Sequence, residues 1–228
     1  MSGSRFRVEQ DGHEVMGYLA PAPSGQGPGV IVLQEWWGLV PHIESLCDRL
    51  AVEGFTCLAP DLYHGQTAKS PDDAGKMMMA LDVERTADDL SHAVSYLSSH
   101  TTVSSARLGI VGFCMGGQLS LYAACRNPKI GAAVDFYGIH PHVTPDLESL
   151  QAAVLGFFGA RDGSVPRAVA DELEAKLRAA GKRVAFHHYA EAGHAFMNDT
   201  RPEVYAPDAA RDAWSKMTTF FRSELGSS

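Results

Sequence analysis

Cys114 is the residue whose surroundings in this sequence most clearly indicate chemistry. It stands between Gly112 and Gly116, after an apolar run at residues 108–111 and before a small, apolar run at 119–125. These runs predict a buried strand and a buried helix. A sharp turn between them would raise the thiol above the sheet, and glycines allow the close strand-helix packing that such a turn needs. The pattern therefore predicts a nucleophile elbow that carries Cys114.

A thiol at that position needs a partner. The ordinary thiol pKa of about 8.5 leaves only a few per cent of the groups ionised at neutral pH. The N-terminus of a helix favours the thiolate, and a histidine can pair with it. Among the ten histidines, His194 is the best candidate, because it lies in a loop directly after the last predicted strand. Without the elbow, it would be interpreted as an ordinary surface histidine.

The predicted acid is Asp162, which also follows a predicted strand and can accept the ring N–H of a histidine. An alternative is that Asp162 caps the helix predicted from Pro166. Asp61, in a turn after an earlier strand, is a rival acid, although local hydrogen bonding is the better interpretation of it. The chain order Cys114, Asp162, His194 is nucleophile, acid, base, which is the order found in α/β-hydrolases.

Two backbone amides are predicted to complete the site. The N–H of Met115 follows the nucleophile and the N–H of Trp36 follows an earlier strand. Together they would form an oxyanion hole, which stabilises the charge that develops on a carbonyl oxygen under attack.

Strands and helices are predicted to alternate from residue 30 onwards. Strands are predicted at residues 30–33, 55–59, 108–111, 130–137, 153–158 and 183–189, and helices from Pro41, around 83–97, and from Pro166 and Pro207. Residues 6–9 and 14–19 form a hairpin around Asp11 and Gly12. We predict an α/β fold with a mostly parallel central sheet, this N-terminal antiparallel hairpin, and helices on both faces. Because parallel strands end at one edge, the candidate residues should gather there.

Length and charge narrow the class of protein. The chain has 228 residues, 45% of them hydrophobic, which predicts one domain over residues 1–228 with a core at 6–222 and short flexible termini. The formal charge of −8 argues against nucleic acid or an anionic membrane as a partner. No apolar run of 18 residues or signal segment occurs. We expect a cytoplasmic protein that is a monomer, with a dimer as the alternative.

Cysteines and histidines elsewhere in the chain carry weaker signals. Cys47, Cys57 and Cys125 lie in apolar patterns without C-x-x-C spacing, which predicts inert, reduced core thiols. The two short histidine groups, at 140–142 and 187–188, have no apparent third ligand. We therefore expect no metal site and no cofactor.

The motifs together resemble the dienelactone hydrolase family of α/β-hydrolases, also called carboxymethylenebutenolidases. The resemblance spans residues 6–222 and rests on QEWWG (34–38), APDLY (59–63), GFCMGG (112–117) and EAGHAF (191–196). It implies Cys114 as nucleophile, His194 as base and Asp162 as the acid that orients it. It also implies a role for Glu35, because the family's corresponding glutamate lies by the thiol and governs its ionisation when substrate enters. The residues alone make Glu35 only a carboxylate at a strand end.

The sequence departs from the dienelactone-cleaving members at the two arginines that hold the substrate's carboxylate. Residues 63–84 contain no arginine, and Asn198 stands four residues after His194. A bidentate anion clamp is therefore not predicted, although Arg201 could swing in. The two tryptophans and the methionine run at 77–79 suggest an apolar pocket, unless that run fills a core instead. The residues predicted to contact substrate are Trp37, Met78, Tyr137, Phe196 and Asn198.

The first hypothesis is an enzyme that cleaves small activated esters or lactones through a Cys-His-Asp triad and a thioester, with a preference for neutral small molecules. Two other classes stay open. A non-catalytic protein could bind a small apolar ligand in the same pocket, and Cys114 could instead sense electrophiles or oxidants. An intact set of three residues argues against a pure binder.

Overall fold

The computed structural model describes residues 3–10 and 12–226. Its strands are β1 (Ser4–Gln10), β2 (His13–Ala20), β3 (Gly29–Leu33), β4 (Thr56–Pro60), β5 (Leu108–Phe113), β6 (Ile130–Phe136), β7 (Ala153–Gly159) and β8 (Val184–Tyr189). Its helices are α1 (Pro41–Val52), α2 (Pro71–Met79), α3 (Val83–Ser99), α4 (Met115–Arg126), α5 (Arg167–Ala179) and α6 (Pro207–Leu225), with a 3₁₀ turn at Leu147–Ser149.

The strands form one sheet in the order β1-β2-β4-β3-β5-β6-β7-β8. The β1–β2 and β2–β4 pairs are antiparallel, and every other neighbouring pair is parallel. This confirms the predicted mostly parallel sheet with an N-terminal hairpin. In the predicted hairpin turn, Gly12 has a positive φ of 81°, and Asp11 lies outside the described residues. Residues 1–2 and 227–228, which belong to the predicted flexible termini, also lie outside them.

Two apolar layers cover the sheet, as the pattern predicted. The apolar faces of α1 and α6 pack on one side, while α3 and α4 pack on the other. Strands β3 to β7 are buried along their whole length, which explains why their sequences are continuous apolar runs rather than alternating ones. No helix in the described part of the chain is both long and apolar enough to cross a bilayer.

Helix α2 is the element that the sequence prediction missed. No helix is predicted between the strand at 55–59 and the helix around 83–97, yet the segment carries both signals of a helix N-terminus. Ser70 caps the helix by accepting a hydrogen bond from the Asp73 amide at 3.1 Å, and Pro71 occupies the first turn. Its end brings Met78 over the edge of the sheet where β3, β5, β7 and β8 finish, so α2 closes one side of the site described next.

Candidate active site

Cys114 occupies a strained turn between β5 and α4. Its backbone has φ 53° and ψ −119°, a conformation that few non-glycine residues adopt. A Cβ on Gly112 would collide with the Gly116 carbonyl, and one on Gly116 would lie 2.5 Å from the Gln34 carbonyl oxygen. The turn is held in place because the Cys114 carbonyl accepts hydrogen bonds from the Gly117 amide at 2.9 Å and the Ile139 amide at 3.2 Å. The geometry is that of a nucleophile elbow.

His194 and Asp162 form a direct hydrogen bond. The distance between His194 Nδ1 and Asp162 Oδ2 is 2.8 Å. The other carboxylate oxygen, Oδ1, accepts from the Ser164 amide at 2.7 Å and the Val165 amide at 2.9 Å. Asp162 therefore contacts the ring with one oxygen and holds its own loop with the other. It does not cap α5, which follows Pro166 without a side-chain cap, so that alternative prediction is wrong.

The charge state of His194 follows from its neighbours. Burial lowers its pKa, but hydrogen bonds with Asp162 and Cys114 outweigh burial and raise the pKa to about 10. The imidazole therefore holds its proton at neutral pH whenever the sulfur is anionic. This pairing lets one ring serve as acid and, once it has given up its proton, as base.

Asp61, the rival acid, is occupied by its own turn. Its Oδ1 accepts from the Tyr63 amide at 3.1 Å and its Oδ2 accepts from the Gly65 amide at 2.8 Å. Both oxygens hold the loop after β4, which leaves Asp162 as the carboxylate that contacts His194.

Glu35 is a buried carboxyl at the end of β3, with 2% of its surface exposed. Its Oε2 accepts a hydrogen bond from Asn198 Nδ2 at 2.9 Å, while Oε1 is buried without a partner among the described residues. Burial raises its pKa, and the Asn198 hydrogen bond and the charges of His194 and Arg201 act in the opposite direction. Burial thus favours the protonated form of Glu35 more than in an ordinary, exposed carboxyl group.

The two predicted oxyanion-hole amides flank the elbow. Met115 is the first residue of α4, so its N–H has no acceptor within the helix. Within residues 3–10 and 12–226, neither this amide nor that of Trp36 donates to a protein acceptor. Both are available to a substrate oxygen.

A cavity of about 160 Å³ opens over the thiol. Trp36, Trp37, Met78 and Ile139 make its wall apolar, and Glu35, Cys114, Ser164, His194, Ala195 and Arg201 complete the lining. The tryptophans pack edge to face, with ring centroids 5.5 Å apart. Cys114, Glu35 and His194 thus share one small, mostly apolar chamber, which suits a small molecule.

Arg201 supplies the positive charge in the cavity wall, and sequence reasoning left its position open. Its guanidinium carbon lies 5.7 Å from the centre of the Trp37 ring, and its Nε lies 2.9 Å from Glu203 Oε1. Arg201 is therefore restrained by a stacking contact and an ion pair rather than free to swing.

Three residues predicted to contact substrate lie behind the wall instead. Tyr137 and Phe196 are fully buried and pack against each other, with ring centroids 5.3 Å apart. The Tyr137 ring also lies 5.0 Å from the His194 ring. Asn198 is turned towards Glu35. These side chains support the residues that face the cavity, whereas Trp37 and Met78 are in the lining as predicted.

The remaining cysteines and histidines have structural surroundings. Burial raises the pKa of Cys47 and Cys57 well above the ordinary value, and that of Cys125 to about 11, which keeps all three as thiols. His188 pairs with Asp171 at 3.2 Å and His187 stacks on Phe157. In the described ranges, no group of three or more potential ligands is arranged to hold a metal ion.

An elbow residue after a central parallel strand, with the acid and the histidine following later strands, defines a protein of the α/β-hydrolase class. The model of the dienelactone hydrolase family matches residues 15–225, and the chain belongs to that family. Membership makes it a hydrolase of ester or lactone bonds.

Individual relatives cover nearly the whole chain. Protein usf of Aquifex pyrophilus is 38% identical over 231 residues, which span 98% of this chain and 99% of the relative. A candidate carboxymethylenebutenolidase of Aquifex aeolicus is 33% identical with the same coverage. Among solved structures, a candidate dienelactone hydrolase of Klebsiella pneumoniae has a TM-score of 0.86 at 32% identity, covering 96% of this chain and 97% of that one.

Proposed function

We propose that this protein hydrolyses small activated esters or lactones through a thioester on Cys114, with His194 and Asp162 completing a triad and neutral substrates preferred. The observation that carries the proposal is the 2.8 Å hydrogen bond between His194 and Asp162, placed beside a cysteine with positive φ at the tip of an elbow. The names of the Aquifex aeolicus and Klebsiella pneumoniae relatives support a substrate of the ester or lactone class.

In the first half-reaction, the Cys114 thiolate attacks the carbonyl carbon, and the electron pair of the C=O bond moves to oxygen. The Trp36 and Met115 amides donate to this oxyanion. As the carbonyl re-forms, the bond to the alcohol oxygen breaks, and the His194 imidazolium gives its proton to that oxygen. The products are the thioester and the free alcohol or, from a lactone, a tethered one.

In the second half-reaction, the now neutral His194 takes a proton from water while the water oxygen attacks the thioester carbon. The tetrahedral intermediate collapses, the carbon–sulfur bond breaks, and the acid leaves. The thiolate and the imidazolium are restored. At rest the sulfur carries a proton beside the imidazolium; as substrate binds, that proton passes to the Glu35 carboxylate, and it returns to the sulfur after the acid has left. Glu35 suits this role because burial raises its pKa and its Oε1 has no hydrogen-bond partner among the described residues.

A preference for neutral substrates follows from the charges around the cavity. Glu35 lines the cavity, and the Arg201 charge is already paired with Glu203. Asn198 stands where the dienelactone-cleaving members of the family have an arginine, and it binds Glu35. A substrate carboxylate would therefore lose its water without gaining a bidentate partner.

The main test is turnover of an aryl acetate by the wild type and by Cys114→Ala. We expect the variant to lose at least about 99% of the activity, because the nucleophile is gone. Cys125→Ala is the matched control, since that thiol lies in the last turn of α4, at the end opposite the elbow, and the change should leave turnover nearly unchanged. Full activity in Cys114→Ala would refute the proposal.

The substrate preference has its own test, a matched pair made of one carboxylated lactone and its methyl ester. We expect kcat/KM to be at least about tenfold higher for the methyl ester, which corresponds to about 1.4 kcal/mol. A clear preference for the free carboxylate would leave the triad standing and overturn the preference alone.

A further inference from the structure

A second cavity lies on the α4 and α5 side of the sheet. Its volume is about 250 Å³, against about 160 Å³ for the cavity over Cys114. The walls come from α4, the segment 138–147 and α5, and they are mostly apolar, with Leu121, Val143, Phe158, Val165 and Leu173 among the lining residues. An apolar cavity of roughly 150 Å³ is enough to hold benzene. The space therefore fits a small organic molecule.

A buried carboxyl group, that of Asp135 on β6, lines this apolar space. Asp135 is 1% exposed, and its Oδ1 is buried without a hydrogen-bond partner in the described part of the chain. Oδ1 lies between Gly117 and Gly138. A Cβ on either glycine would collide with this oxygen, because it would lie within 2.4 Å of it. Burial raises the pKa of Asp135 to about 7, although the Gly138 amide acts in the opposite direction. The Asp135 carboxyl therefore ionises less readily than an exposed one, and a bound cation would favour its charged form.

The other polar groups of the cavity are already engaged. Gln118 donates to the Val143 carbonyl at 2.6 Å and accepts from the His140 amide at 3.1 Å. Glu172 and Lys176, the other ionisable residues of the lining, pair with each other at 2.7 Å and are largely exposed. No cation of the lining therefore reaches the Asp135 carboxylate, and a buried unpaired carboxylate is costly.

We propose that this cavity is a second ligand site, separate from the hydrolytic centre, which binds a small organic ammonium ion with an apolar body. The ammonium group would donate to the Asp135 carboxylate, and the apolar body would fill the space between α4 and α5. Charge-assisted hydrogen bonds of this kind are the strong ones, and they are stronger where water is excluded.

The test is titration of the ¹⁵N-labelled protein with benzylammonium, with benzyl alcohol as the neutral probe of similar shape. We expect saturable amide shifts centred on residues that line this cavity, such as Gln118, Val143 and Leu173, and at least about tenfold weaker binding of benzyl alcohol. Benzylammonium should bind more tightly at pH 8 than at pH 6, because Asp135 becomes ionised between them.

Two variants keep the test decisive. Asp135→Asn should remove the preference for the ammonium over the alcohol, and thermal unfolding checks that the variant is folded. Val169→Trp, at a lining position that is 53% exposed, should obstruct the cavity without disturbing the core, and Val169→Ala is its control. Shifts centred on the cavity over Cys114, equal binding of the two probes, or tighter binding at pH 6 would each overturn the proposal. None of these readouts depends on hydrolytic activity.

Discussion

At the scale of single residues, the Asp162 carboxylate determines what His194 can do. It fixes the ring by accepting from Nδ1 and, together with Cys114, raises the pKa of His194 to about 10 in spite of burial. In the proposed mechanism, the ring is therefore protonated when the thiolate attacks, which is the state needed to protonate the leaving alcohol.

Replacing this carboxylate by an amide should reveal its role. We expect Asp162→Asn to lower kcat/KM for an alkyl ester by roughly 10²- to 10⁴-fold, because the imidazolium loses its counter-charge and the neutral imidazole loses its preferred tautomer. Asp61→Asn is the matched control and should change kcat/KM by less than about threefold. An Asp162→Asn enzyme with more than half of the wild-type activity would contradict the assignment.

Asp135 should make the protein's stability depend on pH. Its folded-state pKa of about 7 lies above the ordinary value of 3.8, so the folded state binds this proton more tightly. The stability it contributes is present below about pH 4 and is lost as the pH rises through about 7.

The stability advantage of Asp135→Asn over the wild type should therefore grow as the pH rises, by about 2.5 kcal/mol between pH 5 and pH 8. Urea unfolding of both proteins at pH 5 and pH 8 measures this difference. If the stability advantage of Asp135→Asn is the same at pH 5 and pH 8, the pKa of Asp135 is not raised in the folded protein.

At the scale of elements, the elbow depends on close packing between β5 and the first turn of α4. We expect Gly112→Ala to destabilise the protein by more than about 3 kcal/mol, because the added Cβ would collide with the Gly116 carbonyl. Gly163→Ala, where a Cβ meets nothing within 4 Å, is the control. Thermal unfolding compares them, and equal melting temperatures would contradict the packing described here.

His140 ties α2 to the body of the molecule. Its Nε2 lies 3.2 Å from the Met78 carbonyl oxygen and its Nδ1 accepts from the His142 amide at 3.1 Å. The carbonyl can only accept and the amide can only donate, so the ring is neutral with its proton on Nε2. Burial also lowers the pKa of His140, against the effect of the Met78 hydrogen bond.

Loss of this tie should loosen the wall of the active-site cavity. We expect His140→Ala to raise KM by roughly 5- to 20-fold with a smaller change in kcat, because Met78 lines the cavity. Amide exchange at residues 76–81 should accelerate as well. His142→Ala keeps the backbone donor and removes only an exposed ring, so its KM should stay at the wild-type value. An equal rise of KM in His142→Ala would contradict the role given to the His140–Met78 hydrogen bond.

The sequence was sufficient for the elements that local patterns specify. Continuous apolar runs predicted the buried strands, and Gly112, Cys114 and Gly116 predicted the turn between β5 and α4. Asp162 and His194 could be placed together because both follow parallel strands, whose ends share one edge of the sheet. Gly181, just after the end of α5, has a φ of 69°, the left-handed conformation that glycine favours at such a position.

Contacts between distant segments could not be predicted in the same way. Glu35 and Asn198 are 163 residues apart, and no pattern in either segment shows that the amide binds the carboxylate rather than the substrate. Tyr137 and Phe196 follow β6 and β8, but a strand's end does not reveal whether an aromatic ring turns into the cavity or beneath it. Asp135 looks like any polar residue in an apolar strand until its surroundings are known.

At the scale of the whole molecule, the sheet brings the chemistry together from four separate parts of the chain. Glu35 follows β3, Cys114 follows β5, Asp162 follows β7 and His194 follows β8. Helix α2 and the two tryptophans then enclose the thiol in a small apolar chamber. The family match over residues 15–225 covers all of these parts, so the assembled site, rather than any single motif, is what the proposed hydrolysis depends on.

The measurement that tests the central claim most directly is rapid-quench mass spectrometry of the protein mixed with an excess of an aryl acetate. The account predicts an intermediate that carries one acetyl group, which peptide mapping locates on Cys114. In His194→Ala the same adduct should accumulate, because deacylation has lost its base. Steady turnover with no acetyl group on Cys114, or with the acetyl group on another residue, would contradict the thioester mechanism.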